Sequence, residues 1–100
     1  MAKLLYYKKG VFREFIREAI VWKVPQSKNF PEGIKYRFVL IKKGKRVLGY
    51  DNKYEEGHHR HFKSRKFRIG IYSKEEVFGL LENFMDESDN IMKSKGEKID

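Results

Sequence analysis

Short runs in which apolar and polar residues alternate with a period of two recur along this chain, and turn residues separate them. Residues 34–41 form the clearest such run, which is typical of a half-buried strand. Residues 42–45 then provide a hairpin turn, because Gly44 takes a positive φ without steric cost. Residues 46–51 return as the partner strand. The pattern therefore favours a sheet of short antiparallel strands.

Three further segments extend this sheet. Residues 4–7 predict a short strand, and 67–72 predict the last one. Residues 11–24 fit two patterns, since their apolar residues match both a strand alternation and a helical stripe. The β-branched and aromatic end of this run favours one long strand, which Pro25 ends because proline cannot donate to a sheet ladder.

A helix follows the strands. Ser73 and Glu76 have the spacing of a capping box, in which each side chain bonds the backbone of the other. Apolar residues then recur at i, i+3, i+4 and i+7, which predicts an amphipathic helix to about Asn90. Together these elements predict an α+β fold: an antiparallel sheet of about four to five strands with the C-terminal helix packed on one face. Residues 1–91 are expected to form this single domain, and 92–100 a polar, frayed tail.

Length and composition restrict the class of protein. One hundred residues allow one small domain, and the absence of cysteine excludes disulfides, thiolate metal ligands and a cysteine nucleophile. No apolar run approaches the roughly 20 residues that span a bilayer, and the first residues lack the apolar segment of a signal peptide. We therefore expect a cytoplasmic protein that makes no membrane contact.

Positive charge is concentrated in the middle of the chain. The net charge is +9, and residues 35–68 carry all of this excess, with twelve lysines and arginines against three acidic residues. Residues 73–100 are acidic instead. Such a distribution favours a polyanionic partner for the middle segment, most often nucleic acid. A lysine-rich, well-solvated surface is the alternative interpretation.

All three histidines lie inside this basic segment, in one stretch of four residues: His58, His59 and His61. Imidazole changes charge near neutral pH, so two histidines suit the general base and general acid of RNA cleavage. One would take the proton of the ribose 2′-OH, and the other would protonate the departing 5′ oxygen. We expect His61 to act with His58 or His59, Arg60 to hold the phosphate, and Asp51 to orient a ring.

Two other interpretations of the cluster stay open. On a strand His59 and His61 point the same way, and with Asp51 they would offer metal ligands. Alternatively, the segment is a non-catalytic basic surface. If the protein binds nucleic acid, whether or not it cleaves it, we expect contacts from basic side chains, one aromatic side chain and one amide side chain. These residues are Arg60, Lys63, Arg65, Lys66, Arg68, Tyr50 and Asn52.

Four strings of this sequence together resemble a known family. They are IVWKVP (20–25), IKYRF (34–38), RVLGYDN (46–52) and GHHRHF (57–62). Over about residues 3–88 the chain resembles the TumE family, small prokaryotic toxins of toxin–antitoxin systems. The most specific match is Tyr-Asp-Asn followed by His-x-Arg-His, in which the doubled histidine leaves two residues for the first position. The resemblance implies a toxin whose partner is a DNA-binding antitoxin.

The residues and the resemblance together predict a toxin that is a metal-independent endoribonuclease, without a cofactor. RNA and a cognate antitoxin are its expected partners, and a homodimer is compatible with the sequence. The alternatives are a non-catalytic nucleic-acid-binding module and a metal-dependent nuclease with Asp51 and the histidines as ligands.

Overall fold

A computed structural model of the protein describes residues 2–52, 57–62, 65–69 and 74–99. These residues form six strands and one helix, in chain order β1 (Lys3–Phe12), β2 (Phe15–Lys23), β3 (Ile34–Lys42), β4 (Lys45–Asp51), β5 (His59–Phe62), β6 (Arg65–Arg68) and α1 (Lys74–Ile99). Each strand pairs antiparallel with the next, so the order in the sheet is the order in the chain. The α+β prediction is confirmed.

The predicted count of four to five strands was wrong, because the described residues form six. A turn at Arg13 and Glu14 divides the N-terminal segment into β1 and β2, which pair from Lys3 opposite Lys23 to Phe12 opposite Phe15. Arg13 has φ of 57° although it is not glycine, so no residue type marks this turn. Residues 59–62 add a further strand, β5.

The hairpin between β3 and β4 is confirmed. Lys43 and Gly44 both have positive φ, at 50° and 78°, as the tight two-residue turn of an antiparallel hairpin requires. Within residues 11–24, β1 ends before the turn and β2 follows it. The helical alternative for this stretch was therefore wrong.

Helix α1 packs against β2, β3 and β4 and buries the core between helix and sheet. Phe84 of α1 is fully buried, and its ring centroid lies 5.7 Å from that of Phe38 and 6.2 Å from that of Tyr50. The core around it comprises Phe15, Ala19, Val21, Ile34, Tyr36, Leu40, Leu48, Val77 and Leu81. Burial of this apolar surface is the main stabilising term of the fold.

The helix is longer than its apolar period predicts. It continues past Asn90 to Ile99, through residues assigned to a polar tail, and Ile91 and Met92 still pack against the core. The domain boundary at residue 91 stays a prediction. The capping residue Ser73 lies outside the described residues. Within the described chain, no helix is apolar over a length sufficient to cross a bilayer.

The sheet has two chemically different faces. Residues directly opposite each other in an antiparallel pair share a face, and Ala19, Phe38 and Tyr50 are linked in this way across β2, β3 and β4 on the side of α1. The opposite side, which we call the open face, carries the residues of the other parity. Asp51 of β4 and His59 of β5 are opposite partners there.

Candidate active site

Strand β5 separates the clustered residues onto two faces. Successive side chains of a strand alternate, so His59 and His61 lie on the open face while Arg60, paired with Tyr50, lies on the helix side. The ring centroids of His59 and His61 are 6.4 Å apart. Of the three histidines, these are the two that the structure brings together.

His61 is held between an anion and a cation. Its Nε2 lies 3.0 Å from Oδ2 of Asp51, and its Nδ1 lies 3.1 Å from Nη2 of Arg46. A guanidinium only donates hydrogen bonds, so Nδ1 is the acceptor and carries a lone pair. The ring proton is then on Nε2, which donates to the Asp51 carboxylate. Asp51 therefore fixes the tautomer and orientation of His61, as a carboxylate does in a catalytic triad.

The environment of His61 favours its neutral form. Burial and the positive charge of Arg46 lower the pKa of His61 below its usual 6.5, and Asp51 only partly opposes them. A neutral imidazole with a directed lone pair is a competent proton acceptor at neutral pH.

His59 has one ring nitrogen occupied by backbone. Its Nδ1 lies 3.0 Å from the carbonyl oxygen of Gly57, which can only accept, so Nδ1 donates. The Gly57 carbonyl therefore engages Nδ1 of His59 and not Nε2. Both residues are largely covered, with exposed fractions of 7% for His59 and 8% for His61.

Arg46 reaches this site because of an irregularity in β4. Leu40 pairs with Leu48, but Ile41 pairs with Arg46. Val47, between these two β4 residues, is therefore an extra residue with no partner in β3. Such a bulge changes which face the next residue occupies, and it places Arg46 on the open face with Asp51. The side chain of Arg46 crosses Gly49, where a Cβ atom would lie 3.0 Å from its Cδ.

Two further cations line the site on the next strand. Lys66 and Arg68 of β6 are the opposite partners of His61 and His59, so they share the open face, and both residues are exposed. Together with exposed Arg46 they surround the histidine pair with positive charge. Cationic side chains placed in this way favour an anionic ligand.

His58 belongs to a different cluster. Its Nδ1 lies 2.9 Å from the Tyr36 hydroxyl and its Nε2 lies 3.1 Å from Oε1 of Glu32. Burial is the main cause that raises the pKa of Tyr36, so its hydroxyl stays protonated. His58 therefore ties the segment before β5 to residues 32–36, away from the His59–His61 pair.

Arg60, expected to hold a phosphate, instead joins the sheet to the helix. It forms an ion pair with Glu87 of α1. Glu87 also accepts a hydrogen bond from the hydroxyl of Tyr50. Burial and the Glu87 bond raise the pKa of Tyr50 to about 12. Burial alone would raise the pKa of Glu87, but the bonds from Arg60 and Tyr50 outweigh it and the pKa is lowered.

Asn52 and Arg65, two of the remaining expected contacts, have different surroundings. Asn52 is buried and bonds the backbone of β3, donating to the Ile34 carbonyl at 2.6 Å and accepting the Tyr36 N–H at 2.9 Å. Arg65 is exposed on the helix side of β6. Lys63 lies outside the described residues.

Arg46 is the site residue that sequence reasoning missed. Strict alternation places it with Leu48 on the helix side, and only the bulge brings it to the open face. The available signal was Gly49, since a glycine inside a strand often marks a bulge or a close approach of another group.

The arrangement of the side chains bears on the hypothesis that Asp51 and the histidines bind a metal. Across the described ranges, no group of three or more histidine, cysteine, aspartate or glutamate side chains is arranged to hold a metal ion. In the same site, both nitrogens of His61 are already engaged by protein groups.

Comparison with known proteins places the chain in one family. Neither curated proteins nor solved structures give a match. The family described as "Toxin TumE" matches residues 3–92, nearly the whole chain. Toxins of this kind act in toxin–antitoxin systems, so an antitoxin partner is implied in general. The chain belongs to the TumE toxin family.

Proposed function

We propose that this toxin is a metal-independent endoribonuclease in which His61 is the general base and His59 the general acid. The observation that supports this most is the Asp51–His61–Arg46 arrangement, which leaves His61 neutral with a defined lone pair on Nδ1. His59 stands beside it on the same face, with ring centroids 6.4 Å apart, so one phosphate can contact both rings.

In the proposed step, Nδ1 of His61 takes the proton of the ribose 2′-OH. The 2′ oxygen then bonds to phosphorus, and the bond from phosphorus to the 5′ oxygen breaks. Protonated His59 gives its Nε2 proton to that departing oxygen. The products are a 2′,3′-cyclic phosphate and a 5′-hydroxyl, and no metal is needed because both proton transfers are made by side chains.

Arg46 links substrate binding to this chemistry. In the free protein its guanidinium bonds Nδ1 of His61. A phosphate anion is a stronger acceptor for a guanidinium than a neutral ring nitrogen is. Arriving RNA therefore draws Arg46 towards its phosphate, which uncovers His61 and releases the lone pair. Lys66 and Arg68 extend the cationic surface for the neighbouring phosphates.

The test compares three single variants in cleavage of a labelled RNA, all in the presence of EDTA. His59→Ala and His61→Ala should each lower the rate by about 10²-fold or more. His58→Ala is the matched control, because its ring bonds Tyr36 and Glu32 instead. Circular dichroism should show all three folded.

Other outcomes would replace the proposal. Cleavage that EDTA stops and Zn²⁺ or Mn²⁺ restores would establish a metal-dependent nuclease. Salt-sensitive RNA binding without cleavage would establish a binding module, with log Kd rising steeply with log salt concentration.

We further propose that the antitoxin is a DNA-binding protein that neutralises the toxin by covering the open face.

A further inference from the structure

The first strand is a long edge with no described partner on its outer side. In the described sheet β1 pairs only with β2, and it is ten residues long, about 33 Å. An edge strand presents a row of backbone N–H and C=O groups that another strand can pair with. The other edge of the described sheet, β6, has four residues, three of them basic. A short, charged edge strand of this kind is protected from pairing with another strand.

Exposed apolar side chains accompany this edge. Leu4, Tyr7 and Val11 are 49%, 50% and 69% exposed, and Ile16 of β2 is 37% exposed. The register places all four on the open face, since Val11 pairs with Ile16, Tyr7 with Ile20 and Leu4 with Trp22. Several exposed apolar residues along one edge of a small protein are typical of an interaction surface.

The charge of β1 selects the kind of strand that fits. Lys3, Lys8 and Lys9 are exposed, and residues 3–12 contain no acidic residue. A second copy of β1 would bring six lysines together along one pair of strands, which is unfavourable. An acidic strand meets opposite charge instead.

We propose that the outer edge of β1 binds an extended, acidic and apolar segment of another protein by adding it to the sheet as a seventh strand. Backbone hydrogen bonds to β1 supply affinity, and the exposed apolar side chains and lysines supply specificity. The edge lies four strand spacings, roughly 19 Å, from β5. The proposal therefore does not rest on RNA cleavage.

The probe for this surface is a blocked, fluorescein-labelled ten-residue peptide of alternating valine and glutamate, measured by fluorescence anisotropy. We expect saturable binding, and at least tenfold weaker binding of the matched valine–lysine peptide. Hydrogen exchange followed by NMR should show protection of alternate β1 amides on adding the acidic peptide, without new protection in β6.

Variants at the edge separate strand addition from general charge attraction. Leu4→Glu and Val11→Glu should each weaken peptide binding about tenfold. Phe78→Glu is the control, because Phe78 is a similarly exposed apolar residue on α1. Absence of binding, equal binding of both peptides, or protection outside β1 would overturn the proposal. A homodimer that protects β1 in the free protein would also overturn it.

Discussion

Asp51 lies directly opposite His59 in the register of β4 and β5, yet its carboxylate contacts the ring of His61, with 3.0 Å between Oδ2 and Nε2. The carboxylate therefore orients the ring of His61, whereas the ring of His59 is oriented by the Gly57 carbonyl. The diagonal contact assigns different roles to two histidines that the sequence alone cannot distinguish. Asp51 and Arg46 are the two groups that hold the ring of His61.

Replacing Asp51 by Asn should lower the pKa of His61 further. Asp51 is the group that raises that pKa, against burial and Arg46, so its loss leaves the lowering effects unopposed. Nitrogen-15 NMR titration of the histidine ring measures the pKa directly. The cleavage rate should fall by about 10²-fold as the ring loses its orientation. An unchanged His61 pKa would show that the contact does not form in solution.

Replacing Arg46 by Gln should move the same pKa in the opposite direction. Without the guanidinium, protonation of Nδ1 is no longer opposed by a neighbouring cation. The low-pH limb of the kcat/KM profile, which reports the free base, should therefore shift to higher pH. KM for RNA should rise as a phosphate contact is lost. Arg60→Gln serves as the control and should leave this limb in place.

Adding a methyl group at Gly49 should disturb the site without replacing a titratable residue. The new Cβ would lie 3.0 Å from Cδ of Arg46 and 3.4 Å from the Phe38 carbonyl oxygen. Gly49→Ala should therefore displace Arg46 and raise the His61 pKa partway towards its value in Arg46→Gln. Gly79→Ala is the control, since nothing lies within 4 Å of its added Cβ. That change in α1 should stabilise the protein by roughly 0.5–1 kcal/mol.

The contact of Arg60 with Glu87 should stabilise the fold and affect catalysis little. Because the folded pKa of Glu87 is below its ordinary 4.5, its contribution is present above pH 4.5 and is lost as pH falls through the folded pKa. Glu87→Gln should cost about 1 kcal/mol near pH 7. Urea denaturation between pH 3 and 7 measures this, and wild type and variant should converge at low pH. A constant difference would contradict the account.

The strands and the helix were predictable where the chain shows a clear period or an obligatory turn residue. The β3–β4 hairpin follows from the alternation and Gly44, and α1 follows from its apolar spacing. The β1–β2 turn was not predictable, because Arg13 takes a positive φ without being glycine. The surrounding antiparallel pairs, from Lys3 to Lys23, impose that conformation on it.

The candidate site was predictable as a cluster but not as an arrangement. Placing residues 59–61 on a strand gives the shared face of His59 and His61 and, equally, the opposite face of Arg60. The role of Arg46 depends on a bulge whose position is set by the pairing of β3 with β4. The burial of Tyr50 depends on α1, which comes 24 residues after it in the chain.

The most direct test of the central claim uses an RNA that contains a single cleavable position, and the same RNA with a 2′-deoxy sugar at that position. End-group analysis in EDTA should find a 2′,3′-cyclic phosphate and a 5′-hydroxyl from the first RNA and no cleavage of the second. Cleavage of the deoxy substrate, or products with a 5′-phosphate, would contradict attack by the 2′ oxygen and with it the proposed roles of His59 and His61.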